Sequence, residues 1–267
     1  MNAFRLEDLS HIPLQQQAAI FDFDGTILTG DCSEEMFREL IKENRISSDS
    51  LKEIGLMPKE ESLDPLEYYE KLLTLKKNED YVQAHLWMVR ALSGVELGQV
   101  LKASAVALKK EVIGFEPEVL EVIKTCQQKQ ANCYILSASP QVVVRYLTQF
   151  YLNPFLQATG NKPFTLENVN GIEMCFDRPA DFSIKNNEID WQKNFSLKCE
   201  QDLVFPAPTG EGKSLFIKKT LGVTPMLSIS DSETDFPLLR DSENGILFQV
   251  PGSKWYSHAT KNSFNRK

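Results

Sequence analysis

Short apolar runs alternate with longer helical patterns along much of the chain. The apolar runs predict buried strands at residues 17–21, at 132–136, in PMLSIS (225–230) and in GILFQV (245–250). The helical patterns predict helices at about 32–42, from Pro65 onward, at 79–92, 95–112, 117–129 and 140–151, and in GEGKSLFIKKTLG up to Gly222. DSETDFPLLR (231–240) reads as a loop that leads into a further helix. Strands that alternate with helices predict an α/β fold, with a parallel sheet and helices on both of its faces.

Two regions depart from this alternation. Residues 30–115 carry helical patterns without a convincing strand, which indicates a helical insert after the first strand. Residues 156–200 contain short strand-like runs (FLQAT, GIEMCF and FSIK) between Asn, Gly and Pro residues. This pattern predicts a strand plus a β-hairpin excursion. The tail from Pro251 is polar and basic, and we expect it to be peripheral.

Polar side chains follow three of the predicted strands. Asp22 comes after the first strand, Ser137 after the second and Asp231 after PMLSIS. In parallel sheets, ligands bind outside the carboxyl ends of the strands, so neighbouring strands would bring these groups to one crevice. Asp22 and Asp24 are two residues apart in an extended segment, and their side chains can therefore face the same pocket.

Composition narrows the class of protein. With 267 residues and 42% hydrophobic residues, the chain can form one large domain, or a domain with an insert. The net charge of −8 argues against sequence-independent nucleic-acid binding, which needs a basic surface. Five scattered cysteines without a CxxC predict reduced thiols in a cytosol-like compartment. The three separated histidines argue against a zinc site, and neither a signal peptide nor a membrane-spanning run is evident.

The segment DFDGT (22–26) allows three interpretations: a calcium loop, a polar turn or a phosphoryl-transfer site. An EF-hand loop follows a helix and ends in a glutamate, whereas a strand precedes Asp22. A polar turn accounts for the segment taken alone. The second acidic pair, Asp231 and Asp235, and the lysine Lys213 in a glycine-rich helix start favour a chemical site.

The segment APTGEGKS (207–214) suggests a different class of protein. It matches a relaxed P-loop pattern with Ala207 in place of the first glycine. The later segment PMLSISD resembles the strand and aspartate that coordinate magnesium in P-loop proteins. A P-loop opens its nucleotide-binding domain, however, and only a short remainder of the chain follows Lys213. A P-loop-type nucleotide-binding protein remains the alternative from another class, and a catalytically idle scaffold is a third possibility.

Four segments, in order, resemble the motifs of the haloacid dehalogenase superfamily of phosphohydrolases: DFDGT (22–26), YILSAS (134–139), GEGKS with Lys213, and SDSETD (230–235). LSASP and GEGK are similar to its phosphoserine phosphatase-like branch, which also includes phosphocholine-type phosphatases. The resemblance implies a Rossmann-like core formed by residues 1–29 and 116–267, with a C1-type helical cap at residues 30–115. Two positions depart from the pattern: Ser230 replaces the usual glycine, and Asp31 replaces the glutamate of serine-specific members.

The resemblance also implies roles for individual residues. Asp22 would attack phosphorus and form an aspartyl-phosphate, and Asp24 would act as general acid and base. Mg²⁺ would be the cofactor, and its ligands would come from Asp22, Asp24 through its backbone carbonyl, and Asp231, with Asp235 orienting waters or the lysine. Thr26, Ser137 and Lys213 would hold the phosphate oxygens. Asp31 would contact the substrate or cap the first helix of the insert.

The sequence therefore predicts a cytoplasmic, magnesium-dependent phosphatase that acts on a small phosphorylated metabolite, such as a phospho-amino alcohol or phospho-amino acid. The alternative substrate is a lipid with a phosphate head group, or a phosphocholine or phosphoethanolamine head group. We expect neither nucleic-acid binding nor stable membrane insertion. Periodicity does not identify the substrate, the cap residues that select it or the oligomeric state.

Overall fold

The computed structural model describes residues 6–75, 81–248 and 256–257. The strands in these residues are β1 (Ala18–Phe21), β2 (Asn132–Pro140), β3 (Val169–Ile172), β4 (Met174–Phe176), β5 (Ile184–Lys185), β6 (Glu188–Ile189), β7 (Cys199–Leu203), β8 (Pro225–Ser230), β9 (Asn244–Leu247) and β10 (Tyr256–Ser257). The helices are α1 (Cys32–Lys42), α2 (Ser48–Glu53), α3 (Pro65–Leu75), α4 (Tyr81–Arg90), α5 (Leu97–Ser104), α6 (Val106–Lys109), α7 (Pro117–Gln128), α8 (Gln141–Leu147), α9 (Asn153–Ala158), α10 (Glu211–Phe216) and α11 (Phe236–Arg240).

The main sheet has the strand order β10-β9-β8-β1-β2-β3. The five strands from β9 to β3 run parallel, and β10 pairs antiparallel at one edge. The predicted parallel α/β sheet is therefore confirmed. Phe21, the last residue of β1, lies opposite Ile135 of β2 and Ile229 of β8. This register aligns the ends of the three central strands, so the polar residues that follow them start from the same level.

Both faces of the sheet are covered, as the alternating side chains of a buried strand require. On one face, Ile20 of β1 packs with Leu136, Ile217 and Leu238 beneath α10 and α11. On the other, Phe21 belongs to the larger apolar core to which α7 also contributes. None of the β1 residues is more than 6% exposed, so this strand forms the centre of the sheet.

The named elements between β1 and α7 are all helices joined by turns and loops, and no named strand occurs in residues 30–75 or 81–115. The predicted helix start at Pro65 is confirmed, and Asp64 caps it by accepting the N–H of Leu66 at 2.8 Å. The segment predicted as one helix at 95–112 divides into α5 and α6. Rings of Phe37, Tyr69 and Trp87 pack within this helical region. Its assignment as a separate cap, with boundaries at 30 and 115, stays a prediction.

Three parts of the predictions lie outside the described residues. These are residues 79–80 at the start of one predicted helix, residues 249–250 at the end of the predicted strand GILFQV, and the tail from Pro251 apart from residues 256–257. Among the described residues, none of the helices combines the length and apolar character needed to span a bilayer. All five cysteines are free thiols, which agrees with the prediction of reduced cysteines.

The segment 156–200, which was predicted to form a strand plus a β-hairpin excursion, differs in part from that prediction. FLQAT is not a strand, because Asn153–Ala158 forms α9 with Pro154 in its first turn, where the missing proline N–H costs nothing. The predicted hairpin exists: β5 and β6 pair across Asn186 and Asn187, both at positive φ, as a two-residue hairpin turn needs. A second pair, β4 with β7, lies beside it in the sequence.

The sequence did not indicate where this excursion packs. The Gly94 N–H donates to the Cys199 carbonyl at 2.8 Å, and the Cys199 N–H donates to the Val95 carbonyl at 3.0 Å. The α4–α5 connection is therefore fastened to the start of β7 by backbone hydrogen bonds. This contact joins the excursion to the helical region that follows β1.

Candidate active site

A cavity of about 440 Å³ opens at the carboxyl ends of β1, β2 and β8. Seven of the eight predicted site residues line it: Asp22, Asp24, Asp31, Ser137, Lys213, Asp231 and Asp235. The eighth, Thr26, is fully buried beside the cavity and does not line it. Segments distant in sequence thus meet where the sheet topology predicts.

Lys213 connects two of the carboxylates. It projects from α10, and its Nζ lies 2.9 Å from Oδ1 of Asp22 and 2.5 Å from Oδ2 of Asp235. Only 1% of Lys213 is exposed. A buried ammonium is tolerated when it is paired and hydrogen-bonded, and two carboxylates provide both here.

Burial shifts the pKa values of these groups. It raises the pKa of Asp22 well above its ordinary value, because Lys213 only partly offsets the loss of water and Asp235 and Asp231 add repulsion. Burial raises the pKa of Asp231 to about 6. For Lys213, burial lowers the pKa, but Asp22 and Asp235 outweigh it, so the net direction is upward and the side chain stays an ammonium. The site carries more negative charge than its lysine neutralises.

Ser230, the residue in place of the usual glycine, takes part in this cluster. Its hydroxyl lies 2.6 Å from Oδ2 of Asp235 and 3.3 Å from Oδ2 of Asp22, and it accepts the Ser232 N–H at 3.2 Å. The substitution therefore adds a hydroxyl that bonds to the carboxylates and does not block the strand end.

Asp24 receives hydrogen bonds on both carboxylate oxygens. Its Oδ1 accepts the Cys32 N–H at 2.7 Å, and its Oδ2 accepts the hydroxyls of Ser139 at 2.6 Å and Ser137 at 3.2 Å. Ser139 was not among the predicted site residues. The period-2 rule for strands would have found it, since it lies two residues beyond Ser137 on β2.

Asp231 is held by Thr26. The Thr26 hydroxyl donates to Oδ1 of Asp231 at 3.0 Å and accepts the Asp231 N–H at 3.0 Å. The predicted phosphate contact of the Thr26 hydroxyl gains no support from this geometry, because Thr26 does not line the cavity and its hydroxyl is engaged with Asp231. Gly25, at φ +68°, lies so close that an added Cβ would sit 2.6 Å from Cγ of Asp231. Only glycine fits there without displacing the carboxylate.

Asp31 caps the first helix of the insert and also faces the cavity. Its Oδ1 caps α1 by accepting the N–H groups of Ser33 and Glu34, both at 2.9 Å, and its side chain also lines the cavity. Burial raises the pKa of Asp31, and Asp24 and Glu34 add to the effect. His85 of α4 also lines the cavity, and no pattern in the sequence indicated it.

The donor set fits a hard divalent cation. Among the described residues, no three His, Cys, Asp or Glu side chains form a group that could hold a metal ion. The ligand set implied by the resemblance consists of two carboxylates, from Asp22 and Asp231, and one backbone carbonyl, from Asp24. Magnesium accepts such oxygen ligands and keeps several waters. Burial raises the pKa of both Asp22 and Asp231, so a bound cation would stabilise their ionised forms.

The structural context of residues 207–214 is not that of a P-loop. A P-loop connects a strand of the parallel sheet to a helix. Here the preceding strand, β7, belongs to a separate antiparallel pair with β4. Lys213 is also buried in contact with the carboxylates of Asp22 and Asp235.

Comparisons with known proteins agree with the resemblance over the part of the chain that carries the first two motifs. The model of the haloacid dehalogenase-like hydrolases matches residues 19–162, more than half of the chain. No curated protein matches the chain by sequence.

Solved structures share the fold. A HAD family hydrolase from Salmonella enterica serovar Typhi aligns at 15% identity and TM-score 0.51, over 90% of this chain and 65% of that one, so this chain spans less than two thirds of its length. A functionally unknown protein from Anaerococcus prevotii aligns at 16% identity and TM-score 0.54, over 87% of this chain and 79% of that one. A substrate-bound phosphoserine phosphatase aligns at 14% identity and TM-score 0.49, over 85% and 83%, a likeness too weak to inform on substrate.

Proposed function

The chain belongs to the haloacid dehalogenase-like hydrolase family, and from that premise we propose that it is a magnesium-dependent phosphatase of small phosphomonoesters. One observation carries the proposal: the Lys213 ammonium lies 2.9 Å from the carboxylate of Asp22, at the open end of the central strand. A carboxylate nucleophile beside a fixed cation suits phosphoryl transfer, which depends mainly on positioning and charge neutralisation.

The proposed reaction has two steps. A carboxylate oxygen of Asp22 forms a bond to phosphorus as the ester P–O bond breaks. The electron pair of that bond leaves on the alcohol oxygen, which takes a proton from Asp24. Asp24 then removes a proton from water as the water oxygen attacks phosphorus and the bond between phosphorus and the Asp22 oxygen breaks. Inorganic phosphate leaves, and the Asp22 carboxylate is restored.

The surrounding residues have supporting roles in this proposal. Magnesium, held by Asp22, Asp231 and the Asp24 carbonyl, would neutralise charge on the phosphate. Lys213 and Ser137 would hold phosphate oxygens. Asp235, through its 2.5 Å contact, keeps Lys213 directed at Asp22. In place of a phosphate contact, we assign the Thr26 hydroxyl to anchoring Asp231.

The lining of the cavity favours a substrate whose alcohol carries an amine. Asp31 and Glu233 line the cavity together with the catalytic carboxylates, so it is strongly acidic apart from Lys213 and His85. A cationic group near Asp31 would relieve the cost of burying that carboxylate. Phospho-amino alcohols and phospho-amino acids meet this condition. Phosphocholine, or phosphoethanolamine as a lipid head group, meets it equally and is the second candidate.

Hydrolysis of p-nitrophenyl phosphate, with and without Mg²⁺, tests the function. We expect magnesium-dependent activity that is lost in Asp22→Asn and kept in Asp190→Asn, a matched change at an exposed aspartate. Full activity in Asp22→Asn would exclude Asp22 as nucleophile. Tight binding of magnesium-ATP that Lys213→Ala abolishes, without phosphatase activity, would instead favour the nucleotide-binding alternative. A panel of phosphomonoesters then ranks the substrates.

A further inference from the structure

Ser139 connects the predicted insert to Asp24. Its hydroxyl donates to Oδ2 of Asp24 at 2.6 Å, and it accepts the hydroxyl of Ser33 at 2.6 Å. Ser33 belongs to α1 and Ser139 to β2, so segments 106 residues apart form one chain of hydrogen bonds. Ser33 is 1% exposed and Ser139 4% exposed. Water therefore does not compete freely for these bonds.

The two oxygens of Asp24 are not equivalent. Oδ1 accepts the backbone N–H of Cys32 at 2.7 Å, and an N–H group can only donate. Oδ1 must therefore remain an acceptor in every protonation state. Oδ2 faces the hydroxyls of Ser137 and Ser139, and a hydroxyl can donate or accept. Of the two oxygens, Oδ2 is therefore the one whose neighbours can also accept a hydrogen bond from it.

Of the two hydroxyls at Oδ2, that of Ser139 makes the closer contact, at 2.6 Å against 3.2 Å for Ser137. The Ser137 hydroxyl also accepts the Ser139 N–H at 2.9 Å. Ser33 gives the Ser139 hydroxyl a second partner, which restricts its rotation. The pair Ser33–Ser139 can reverse its hydrogen bonds when Oδ2 changes from acceptor to donor.

We propose that Ser139, supported by Ser33, is a positioning residue that holds Oδ2 of Asp24 in line for proton transfer with the leaving alcohol and the attacking water. The proposal rests on the proposed phosphatase function and adds two residues to it. Ser139 transfers no proton to the substrate, and its effect passes through Asp24. General acid catalysis contributes roughly 10²- to 10⁴-fold to rates, so loosening the acid has a measurable cost.

The leaving group provides the readout. p-Nitrophenolate departs without a proton, phenolate benefits from one, and the alkoxide of benzyl phosphate requires one. These three esters are similar in size, and kcat/KM covers the steps up to P–O cleavage. For Ser139→Ala we expect kcat/KM to fall about tenfold or more with benzyl phosphate, by an intermediate factor with phenyl phosphate, and less than about threefold with p-nitrophenyl phosphate.

Three further variants separate positioning from folding. Ser104→Ala removes another buried serine hydroxyl, which donates a hydrogen bond within α5. This variant should leave kcat/KM unchanged for all three esters. Ser33→Ala should lower kcat/KM in the same order of esters as Ser139→Ala, but by smaller factors. Ser139→Thr keeps the hydroxyl and should restore benzyl phosphate turnover. Melting temperatures show whether each variant is folded.

Two results would overturn the inference in an active wild-type enzyme. Equal losses on all three esters would mean that Ser139 acts on the phosphate or on the fold. No loss on any ester, in folded Ser139→Ala and Ser33→Ala, would mean that Asp24 does not depend on them. A wild-type protein that hydrolyses none of the esters would instead refute the proposed function itself.

Discussion

The ammonium of Lys213 and the carboxylate of Asp22 form a buried ion pair with a separation of 2.9 Å. They lie 191 residues apart in sequence, one on α10 and the other directly after β1. Asp235 completes the cluster at 2.5 Å from the same nitrogen. One cation therefore holds the strand end, the helix and the loop after β8 together.

Replacing Lys213 by Met should destabilise the protein strongly. The change leaves Asp22 and Asp235 buried without their cation, and breaking a buried pair from one side costs about 3–5 kcal/mol. Urea unfolding in EDTA measures the loss of unfolding free energy. Phosphatase activity should fall below detection in the same variant.

Lys218→Met is the matched control. Lys218 follows α10 and pairs with Asp241 at 2.5 Å, but its side chain is 59% exposed. Exposed pairs contribute about 0–1 kcal/mol, so this variant should unfold almost like the wild type. Equal destabilisation by the two substitutions would contradict the importance of burial at Lys213.

Gly25→Ala should affect the site beyond its cost to stability. Gly25 has φ +68°, and its added Cβ would meet the Asp231 carboxylate. Gly160 has φ +77°, and a Cβ added there would have no neighbouring atom within 4 Å. Gly160→Ala should therefore cost only the backbone strain, about 1–2 kcal/mol. We expect both variants to melt lower, but only Gly25→Ala to lose magnesium affinity and kcat. An unchanged magnesium affinity in Gly25→Ala would contradict the assignment of Asp231 as a magnesium ligand.

The stability of the metal-free protein should depend on pH through Asp231. Its pKa is about 6 in the folded protein, raised by burial from an ordinary value of 3.8. Ionised Asp231 therefore destabilises the fold: the penalty is absent below about pH 4, grows as the pH rises to 6 and is then constant, at about 3 kcal/mol at most.

Asp231→Asn removes this penalty and keeps an oxygen for Thr26. In EDTA at pH 8, the variant should melt above the wild type, and the difference should vanish near pH 4. Added Mg²⁺ should raise the melting temperature of the wild type more than that of the variant. A wild type that is the more stable protein at pH 8 in EDTA would contradict the prediction.

Asp31→Asn tests substrate selection without removing the helix cap. Asparagine caps helices about as well as aspartate, and it replaces a buried carboxylate whose pKa is raised, so the variant should melt no lower than the wild type at neutral pH. If Asp31 faces the amine of the substrate, kcat/KM for phosphoethanolamine should fall about tenfold, while that for ethyl phosphate should change less than about twofold. Equal losses for both esters would place the effect of Asp31 elsewhere.

The strands and most helices of the core follow from local sequence. β1 and β8 are short, apolar and bounded by polar residues, and such patterns carry their own signal. The prediction of a strand at FLQAT was wrong because its apolar residues suit either a strand or a short helix. Pro154 in the first turn and the packing of α9 favour the helix. The joining of β7 to the α4–α5 connection has no local signal, since it depends on backbone groups more than 100 residues apart.

By itself, the sequence determined the family, the parallel sheet and the convergence of Asp22, Ser137, Lys213 and Asp231, because strand periodicity and motif order place polar residues at the same sheet edge. The tertiary structure alone decided which atoms pair there. It directed Thr26 to Asp231, placed Ser230 between two carboxylates and set Ser139 closer to Asp24 than Ser137. A hydrogen bond depends on tenths of an ångström between distant segments, and periodicity specifies only the side of the strand on which a residue lies.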